Sequence, residues 1–457
     1  MRARTGERLV VIGGDAAGMT AASLAKKMRP ELEVIALEKG PWTSYSACGI
    51  PYVIGGDVAS IEELVVRTPE EHRARGIDAR PLNEATAIDL DAREVEVRDF
   101  DAGRTYRLGF DELIIATGAV PRRPQVPGFR HEKVHGVQTL DDGADLLRHA
   151  EKIGAERVVV VGAGYIGLEI AEAFVKRGAR VTVVDREPEV LAATMDPEMG
   201  ASVRQAMERH GIDVRTGVPV EDFDGRAVVT PSGPIEADLV VLGLGVAPNS
   251  TLANEAGIEL GAHDAVAVDV RQRTSAEGVW AAGDCCESFH LVSHRKVYVA
   301  LGTVANKQGR VVGINVGGGY ATFPGVVGTA VTKLCDTEIA RTGLSEREAT
   351  QVGFGFVVGR IDSTTRAGYF PGAKPITVKV LVQRGGGELL GAQIVGEEGA
   401  AKRIDVLATA LTARFTVEDL LHLDPSYAPP FAPVWDPVLM AARKAWDAVQ
   451  RERTSAR

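Results

Sequence analysis

A strand, a glycine-rich loop and a helix occur twice in this chain, and that duplication restricts it to few folds. The first copy starts with the apolar run Leu9-Val10-Val11-Ile12 and passes into Gly13-Gly14-Asp15-Ala16-Ala17-Gly18. Small residues then predict a helix from Met19 to Lys27, and a second strand, Glu33 to Leu37, ends at Glu38. This is the pattern of a βαβ unit for a dinucleotide. Gly13 permits the tight turn, Gly18 lets the helix lie close to the strand, the helix N-terminus faces a pyrophosphate, and Glu38 accepts from ribose hydroxyls. Asp15 stands where the pattern usually has its second glycine. The second copy is complete. Arg157 to Val161 predicts a strand, Gly162-Ala163-Gly164-Tyr165-Ile166-Gly167 is a full GxGxxG, and Leu168 to Lys176 predicts a helix. A strand from Ala179 to Val184 then ends at Asp185. Two such units imply two dinucleotides, most simply a flavin and a nicotinamide.

The 457 residues allow two to four domains. A formal net charge of −10 argues against nucleic acid or an anionic membrane surface as partner. No apolar run is long enough to span a bilayer, and the charged segment Met1 to Arg8 does not read as a signal peptide. The four cysteines (Cys48, Cys285, Cys286 and Cys335) contain no CxxC, so neither a disulfide framework nor a zinc site is expected, and a reducing cytoplasm is the expected location. The nine histidines lack metal-ligand spacing, and no metal is expected. Leu113 to Ala119, with Ala116-Thr117-Gly118, reads as a strand and turn before a Pro-rich interdomain crossing, Pro121 to Pro127. Gly278 to Asp284 reads as a buried strand that delivers Asp284 to a helix start, within reach of a ribityl hydroxyl. From about Phe323 the texture changes. Strand-like runs, Ile376 to Val382 and Leu389 to Ile394, precede a helix, Ala400 to Thr412, as in an α+β domain.

Cys48, in Ser44-Tyr45-Ser46-Ala47-Cys48-Gly49-Ile50-Pro51-Tyr52, follows the first glycine loop without a second cysteine nearby. A lone redox cysteine cycles through a mixed disulfide with a small thiol, a persulfide or a sulfenic acid. A place at the start of a helix running toward Ile54 favours its thiolate. Cys285, Cys286 and Cys335 read as packing residues. Lys26, Arg29 and Arg67 are candidates to grip an anionic phosphate tail.

Gly13 to Gly18, Ala116-Thr117-Gly118, Gly162 to Gly167 and Ala281 to Asp284 occur in the order found in the pyridine nucleotide–disulfide oxidoreductases, and the chain resembles that family over essentially its whole length. Within it, the chain resembles the single-cysteine branch. Cys48-Gly49-Ile50-Pro51-Tyr52, Tyr427-Ala428-Pro429-Pro430-Phe431 and Ala367-Gly368-Tyr369-Phe370-Pro371-Gly372 look most like coenzyme A disulfide reductases. The resemblance implies an α/β protein with two Rossmann-like dinucleotide-binding domains and a C-terminal α+β dimerisation domain. The FAD domain is expected over residues 1–120 and 253–325, the NAD(P) domain over 121–252, and the dimerisation domain over 326–457. It also implies FAD, NADH or NADPH, and coenzyme A as substrate or mixed disulfide. The cofactor-binding residues it implies are Gly13, Asp15, Ala16, Ala17, Gly18, Glu38, Lys39, Ser44, Ala116, Thr117, Gly118, Gly283, Asp284, Gly302 and Thr303 in the first unit. In the second they are Gly162, Gly164, Tyr165, Ile166, Gly167, Glu169, Asp185 and Gly245. Asp185 favours NADH by repelling a 2′-phosphate, whereas the adjacent Arg186 is able to bind one.

By the same resemblance, Cys48 attacks a bound disulfide, releases one thiol and is left as a mixed disulfide that electrons from NAD(P)H then reduce. Tyr427 and Tyr369 resemble tyrosines supplied by the partner subunit of a homodimer. Ala47 stands where coenzyme A disulfide reductases have Asn, and Ala16 where NADH peroxidases and water-forming oxidases have His. Glu169 lacks the lysine partner of two-cysteine reductases. With Arg457 as the last residue, no rhodanese domain is expected. Three alternatives share the fold. A persulfide or polysulfide reductase and an NADH oxidase working through a Cys48 sulfenic acid both use the cysteine. An electron-transfer reductase for a protein acceptor does not.

Overall fold

The computed structural model describes residues 6–455. Most of the segment read as no signal peptide, residues 1–5, lies outside the described residues. Arg8–Ile12 is the central strand of the first sheet, paired in parallel with Glu33–Leu37 and Glu112–Ile115. The spatial order is Val279–Ala281, Glu112–Ile115, Arg8–Ile12, Glu33–Leu37, Ile77–Arg80. Its first strand comes from far along the chain, so two separated stretches build one sheet. The second sheet repeats the arrangement in the order Asp213–Arg215, Arg180–Val184, Arg157–Val161, Leu239–Leu242, Val134–Gly136, again all parallel. Both faces of each sheet are covered, one by helices and the other by a small antiparallel sheet, which is why the strands read as unbroken apolar runs instead of alternating ones. Val158, Val160, Leu168, Ile170 and Phe174 lie in one buried cluster that also takes in Ile50, Val53 and Ile54 behind Cys48.

Both loop helices begin earlier than the apolar pattern indicates, at Ala16 and Tyr165 in place of Met19 and Leu168. The last glycine of each loop is already inside the first helical turn, where small residues give no hydrophobic period to read. A Cβ on Gly18 would lie 2.0 Å from the Gly13 carbonyl oxygen, and one on Gly167 would lie 1.9 Å from that of Gly162. Only glycine fits at either position.

A three-stranded antiparallel sheet, Asn83–Asp89, Glu94–Asp99 and Arg104–Gly109, is inserted in the first unit. The C-terminal part is a five-stranded antiparallel sheet, in the order Ala330–Leu334, Thr337–Gly343, Leu389–Gly396, Pro375–Gln383, Phe356–Thr364. The predicted helix there divides into a short turn, Ala401–Arg403, and a helix, Ile404–Thr412. The long helix Pro437–Ser455 packs against Phe356–Thr364 so closely that a Cβ on Gly359 would meet the Ala441 carbonyl oxygen at 2.1 Å.

The second unit and the C-terminal sheet are joined by a charge cluster in which Lys379 and Asp196 are buried and Glu198 and Glu346 reach toward solvent. The Lys379 ammonium, in strand Pro375–Gln383, lies 2.8 Å from Asp196 and is also paired with Glu198 and Glu346. Asp196 further accepts from Gln393 Nε2 at 2.8 Å and from the Glu346 amide at 2.9 Å. The three carboxylates converge on one ammonium, so removing that ammonium leaves like charges facing each other in a poorly solvated place. Lys379→Met should therefore lower the stability of the full chain by about 3 kcal/mol. Urea unfolding at neutral pH measures this, and an unchanged midpoint would count against the cluster as the interdomain tie.

Candidate functional site

The first glycine loop forms as its residue types require. Gly13 has φ +113°, and a Cβ there would meet the Ala116 carbonyl oxygen at 2.1 Å, so Ala116-Thr117-Gly118 forms the loop's other wall. Gly118 has φ +69°, and its carbonyl accepts from the Asn249 amide at 2.9 Å, which ties the crossing back to the second unit. Glu38 accepts from the amides of Gly14 and Gly40, each at 2.8 Å. Burial raises its pKa, against the pull of those two amides. Lys39 is on the surface, paired with Glu84 at 2.7 Å. The helix Gly302–Val316 crosses Ala16–Met28 at closest approach, since a Cβ on Gly309 would meet the Ala17 carbonyl oxygen at 2.4 Å. Its exposed start, Gly302 and Thr303, has no side-chain cap. Gly283, with φ +87°, packs on Ala17.

Asp15 needs no left-handed backbone, because its φ and ψ are −113° and −153°. Gly164, its counterpart, is extended in the same way at −82° and −175°. An L-residue therefore fits the second glycine position of the first loop. The Asp15 carboxylate leaves the helix end uncapped and accepts instead from the Tyr45 amide at 3.0 Å. Burial, with Glu38 and Asp284 adding to it, pushes Asp15 up to about 6.

Asp284 is not at a helix start. The Cys286 amide closes a turn on the Gly283 carbonyl at 3.0 Å, and Val266 pairs with this stretch, so the chain leaves as the strand Ser288–His290. Asp284 Oδ1 is buried without a hydrogen-bond partner, and burial pushes this carboxyl up to about 6. The Tyr298 hydroxyl, close enough for Asp284 to act on its titration, is also buried and unpartnered. Buried orphan groups of this kind call for a polar ligand. With the uncapped helix end and the Gly18 cradle, they fit a dinucleotide, whose pyrophosphate the loop would hold, with Glu38 and Asp284 able to accept from its hydroxyls.

In the second loop, Gly162 has φ +105°, and a Cβ there would meet the Gly243 carbonyl oxygen at 2.5 Å. Asp185 accepts from the Ala163 amide at 2.6 Å and the Glu187 amide at 2.9 Å, as Glu38 does in the first loop. Arg186 is exposed beside Glu187. Gly245 is exposed at φ +75°, Ile166 is half-buried, and the Tyr165 hydroxyl is buried beside Thr194. Glu169 accepts from Thr332 Oγ1 at 2.8 Å, and burial raises its pKa.

Cys48 sits in a short turn, Ala47–Gly49, which leads into the helix Ile50–Gly55. It is the one exposed cysteine among the described residues. The expected drift toward thiolate is reversed in the chain by itself. Partial burial raises the thiol pKa, and the charges of Glu169, Asp284 and Asp15 add to the shift. A helix of one turn and a half does not outweigh three carboxylates. Those carboxylates come from both units, so Cys48 lies where the two units meet. Cys285 and Cys286 are buried, with thiols pointed at the carbonyl of Ile115 and the amide oxygen of Gln308, as packing residues.

Tyr369 and Tyr427 lie beside each other on the C-terminal domain, 78% and 47% exposed. The charges that act most on the Cys48 thiol of the same chain are Glu169, Asp284 and Asp15 instead. Lys26 donates to the carbonyls of Pro30 and Leu32, and Arg29 pairs with Glu7 and Glu31, so neither is left to hold a phosphate tail. Ser44, with φ +48°, brings an unforeseen partner: its hydroxyl is 3.0 Å from Nε2 of the fully buried His72. His72, Tyr298 and Thr332 stand in no motif, and nothing in the sequence marks them.

Two family profiles match the chain: "Pyridine nucleotide-disulphide oxidoreductase" over residues 7–309 and its "dimerisation domain" over residues 329–437. A Pyrococcus abyssi protein named "NAD(P)H sulfur oxidoreductase (CoA-dependent)" is 42% identical over 443 residues, covering 95% of this chain and 97% of that protein. The solved structure of an NAD-dependent persulfide reductase from A. fulgidus superposes with a TM-score of 0.94 at 38% identity, over 98% of this chain and 84% of that one. That of reduced Bacillus anthracis CoADR-RHD superposes with a TM-score of 0.95 at 32% identity, over 98% and 82%.

The raised Asp284 carboxyl has a signature in the flavin-free protein. The folded chain holds that proton up to about pH 6, the unfolded chain only to about pH 4. Its contribution to stability is complete below about pH 4 and is lost as pH rises through about 6. Asp284→Asn removes the titration. Relative to the variant, the unmodified chain should lose melting temperature between pH 4 and pH 7, and parallel curves would refute the assignment.

Proposed function

The chain belongs to the pyridine nucleotide–disulphide oxidoreductase family, and we propose that it is a flavin-dependent NAD(P)H reductase of low-molecular-weight disulfides, with coenzyme A disulfide as substrate. The observation that carries this reading is Cys48: a lone exposed thiol, placed between two dinucleotide loops and acted on by groups from both. The B. anthracis structure, designated CoADR-RHD, supports the coenzyme A assignment.

The cysteine chemistry follows. The Cys48 thiolate attacks one sulfur of the bound disulfide, the substrate S–S bond breaks, and one thiolate leaves. Two electrons and a proton then cleave the Cys48 mixed disulfide, which returns the thiolate and releases the second thiol. FAD, which the loop Gly13 to Gly18 with Glu38 and Asp284 would hold, would supply the path for two electrons from NAD(P)H to sulfur. The raised Cys48 pKa makes charge compensation necessary, and a partner's tyrosine hydroxyl, from Tyr427 with Tyr369 beside it, is placed in this reading to donate to the sulfur or to the leaving thiolate. Both tyrosines are exposed, and Phe431, Val434 and Trp435 are exposed on the same C-terminal segment. A homodimer covers that surface and completes the active site. Asp185, with its carboxylate engaged by the loop amides, favours NADH over NADPH. The working location is the cytoplasm, where thiols are kept reduced.

A second reading, reduction of a persulfide through the same Cys48, is favoured by the likeness to the A. fulgidus persulfide reductase. It differs in product, since inorganic sulfide leaves in place of a second thiol.

Intact mass of the purified protein under denaturing, non-reducing conditions tests the assignment. A reducible adduct of coenzyme A mass on Cys48 is expected, with NADH-driven turnover of coenzyme A disulfide that Cys48→Ser abolishes. Full activity in Cys48→Ser would remove the mechanism, and sulfide release without disulfide turnover would select the persulfide reading. Tyr427→Phe should lower kcat by roughly 10²-fold or more and shift the pH profile, the weight of a lost proton donor. A profile and rate identical to the parent would remove the tyrosine from the chemistry.

A further inference from the structure

We propose that Asp15 is a positioning residue for the redox cysteine: its carboxylate holds the Tyr45 amide and so fixes how the loop presents Cys48. The turnover arm of its test rests on the disulfide-reductase reading above.

The two glycine loops make an internal comparison. Gly164 and Asp15 occupy the same place in their loops, and both have extended backbones. The fold therefore accepts glycine at this place, and the carboxylate is an addition to it. The addition is electrostatically unfavourable. Asp15 is largely buried, Glu38 and Asp284 both act on its charge, and the adjacent helix end is the place for a pyrophosphate. What offsets it is chiefly the bond from the Tyr45 amide at 3.0 Å, with a smaller share from the Ala16 amide.

That bond reaches the right segment. Tyr45 is three residues before Cys48, in a stretch also held by the Ser44 hydroxyl at 3.0 Å from His72 Nε2, by the Val66 amide on the Ser44 carbonyl at 2.8 Å and by a bridge from Tyr45 to Val65. The Ser44 amide donates to the Gly14 carbonyl, the Ser46 amide to Leu64, and the Gly49 amide to Ser46, each at 2.9 Å. Each of these has a backbone carbonyl as acceptor. Asp15 supplies a side-chain acceptor from the loop that would carry the flavin, and thereby ties that loop to the peptide leading into Cys48. Its charge also acts directly on the Cys48 thiol, in the direction that favours the protonated form. The two roles are separable, since an amide oxygen accepts the Tyr45 bond without the charge.

Asp15→Gly restores the usual loop residue and removes both acceptor and charge, whereas Asp15→Asn removes only the charge. Three readouts on the flavin-loaded protein separate them: flavin content, kcat and KM with coenzyme A disulfide, and the rate of Cys48 alkylation by iodoacetamide against pH. Asp15→Gly should keep its flavin and its KM for NADH and lose about tenfold in kcat, the weight of one hydrogen bond to a charged group. Asp15→Asn should recover most of that loss, because its amide oxygen keeps the Tyr45 bond. Both variants lack the charge, so a difference between their alkylation profiles reports the anchor alone, and one is expected. Equal kcat in Asp15→Gly and the parent, equal impairment in the two variants, or a loss explained by missing flavin would each overturn the proposal. If the parent reduced no disulfide, the functional reading would fall, and the alkylation comparison would still decide the role of Asp15.

Discussion

The contact on which the structure turns is between a glycine α-carbon and the carbonyl oxygen of another glycine five residues earlier. It is made by Gly18 on Gly13 and again by Gly167 on Gly162, with no room for a methyl group in either case. Each contact seats a helix directly on its strand, so that the first-turn amides point into the loop and the next strand brings a carboxylate, Glu38 or Asp185, to close it. The rest of the site is placed relative to these two seats. The helix Gly302–Val316 reaches the first loop only because Gly309 lets it touch Ala17. The helix behind Cys48 packs in the same core cluster as Leu168 and Phe174 from the helix of the second seat.

A second theme is the sign of the charge around Cys48. Glu169, Asp284 and Asp15 all oppose the thiolate, and Asp15, Asp284, Glu38 and Glu169 are themselves raised by burial. A chain with a formal charge of −10 that gathers carboxylates around a nucleophilic sulfur keeps that sulfur protonated until something offsets them. In the proposed function, the activation of Cys48 then falls to the bound cofactor and a partner subunit, since the carboxylates of the protomer itself oppose the thiolate. That opposition also explains why the one-turn helix after Cys48 is a weak predictor of thiol state. The dipole effect is confined to a terminus and amounts to about 1 kcal/mol or less, whereas burial and three like charges act together.

The parts legible in the sequence were those that depend on local sterics and periodicity. Gly13, Gly18, Gly162 and Gly167 were readable because no other residue tolerates those approaches, and the parallel strands because burial on both faces leaves uninterrupted apolar runs. Helix starts were misplaced because Ala16, Ala17 and Tyr165 belong to the loop motif and carry no amphipathic signal. The sequence reads Asp284, at the end of a buried strand, as a helix start. The pairing of this stretch with Val266, a contact remote in sequence, turns it into a strand. Lys26 and Arg29 looked free because composition shows charge without showing which carbonyl or carboxylate already satisfies it. His72, Tyr298 and the Lys379 cluster were not legible at all, since each acts through contacts that only the tertiary fold creates.

Asp15 joins these levels. In the sequence it is a blemish in a fingerprint, and in the backbone it is unremarkable, an extended residue in a position that glycine shares. Its meaning appears only where its carboxylate meets the Tyr45 amide, at the border between the loop for one cofactor and the segment that ends in Cys48. The second unit has a glycine, Gly164, at this place, and no cysteine for such a link to hold. The asymmetry between two otherwise matching loops thus falls at the one point where their duties differ.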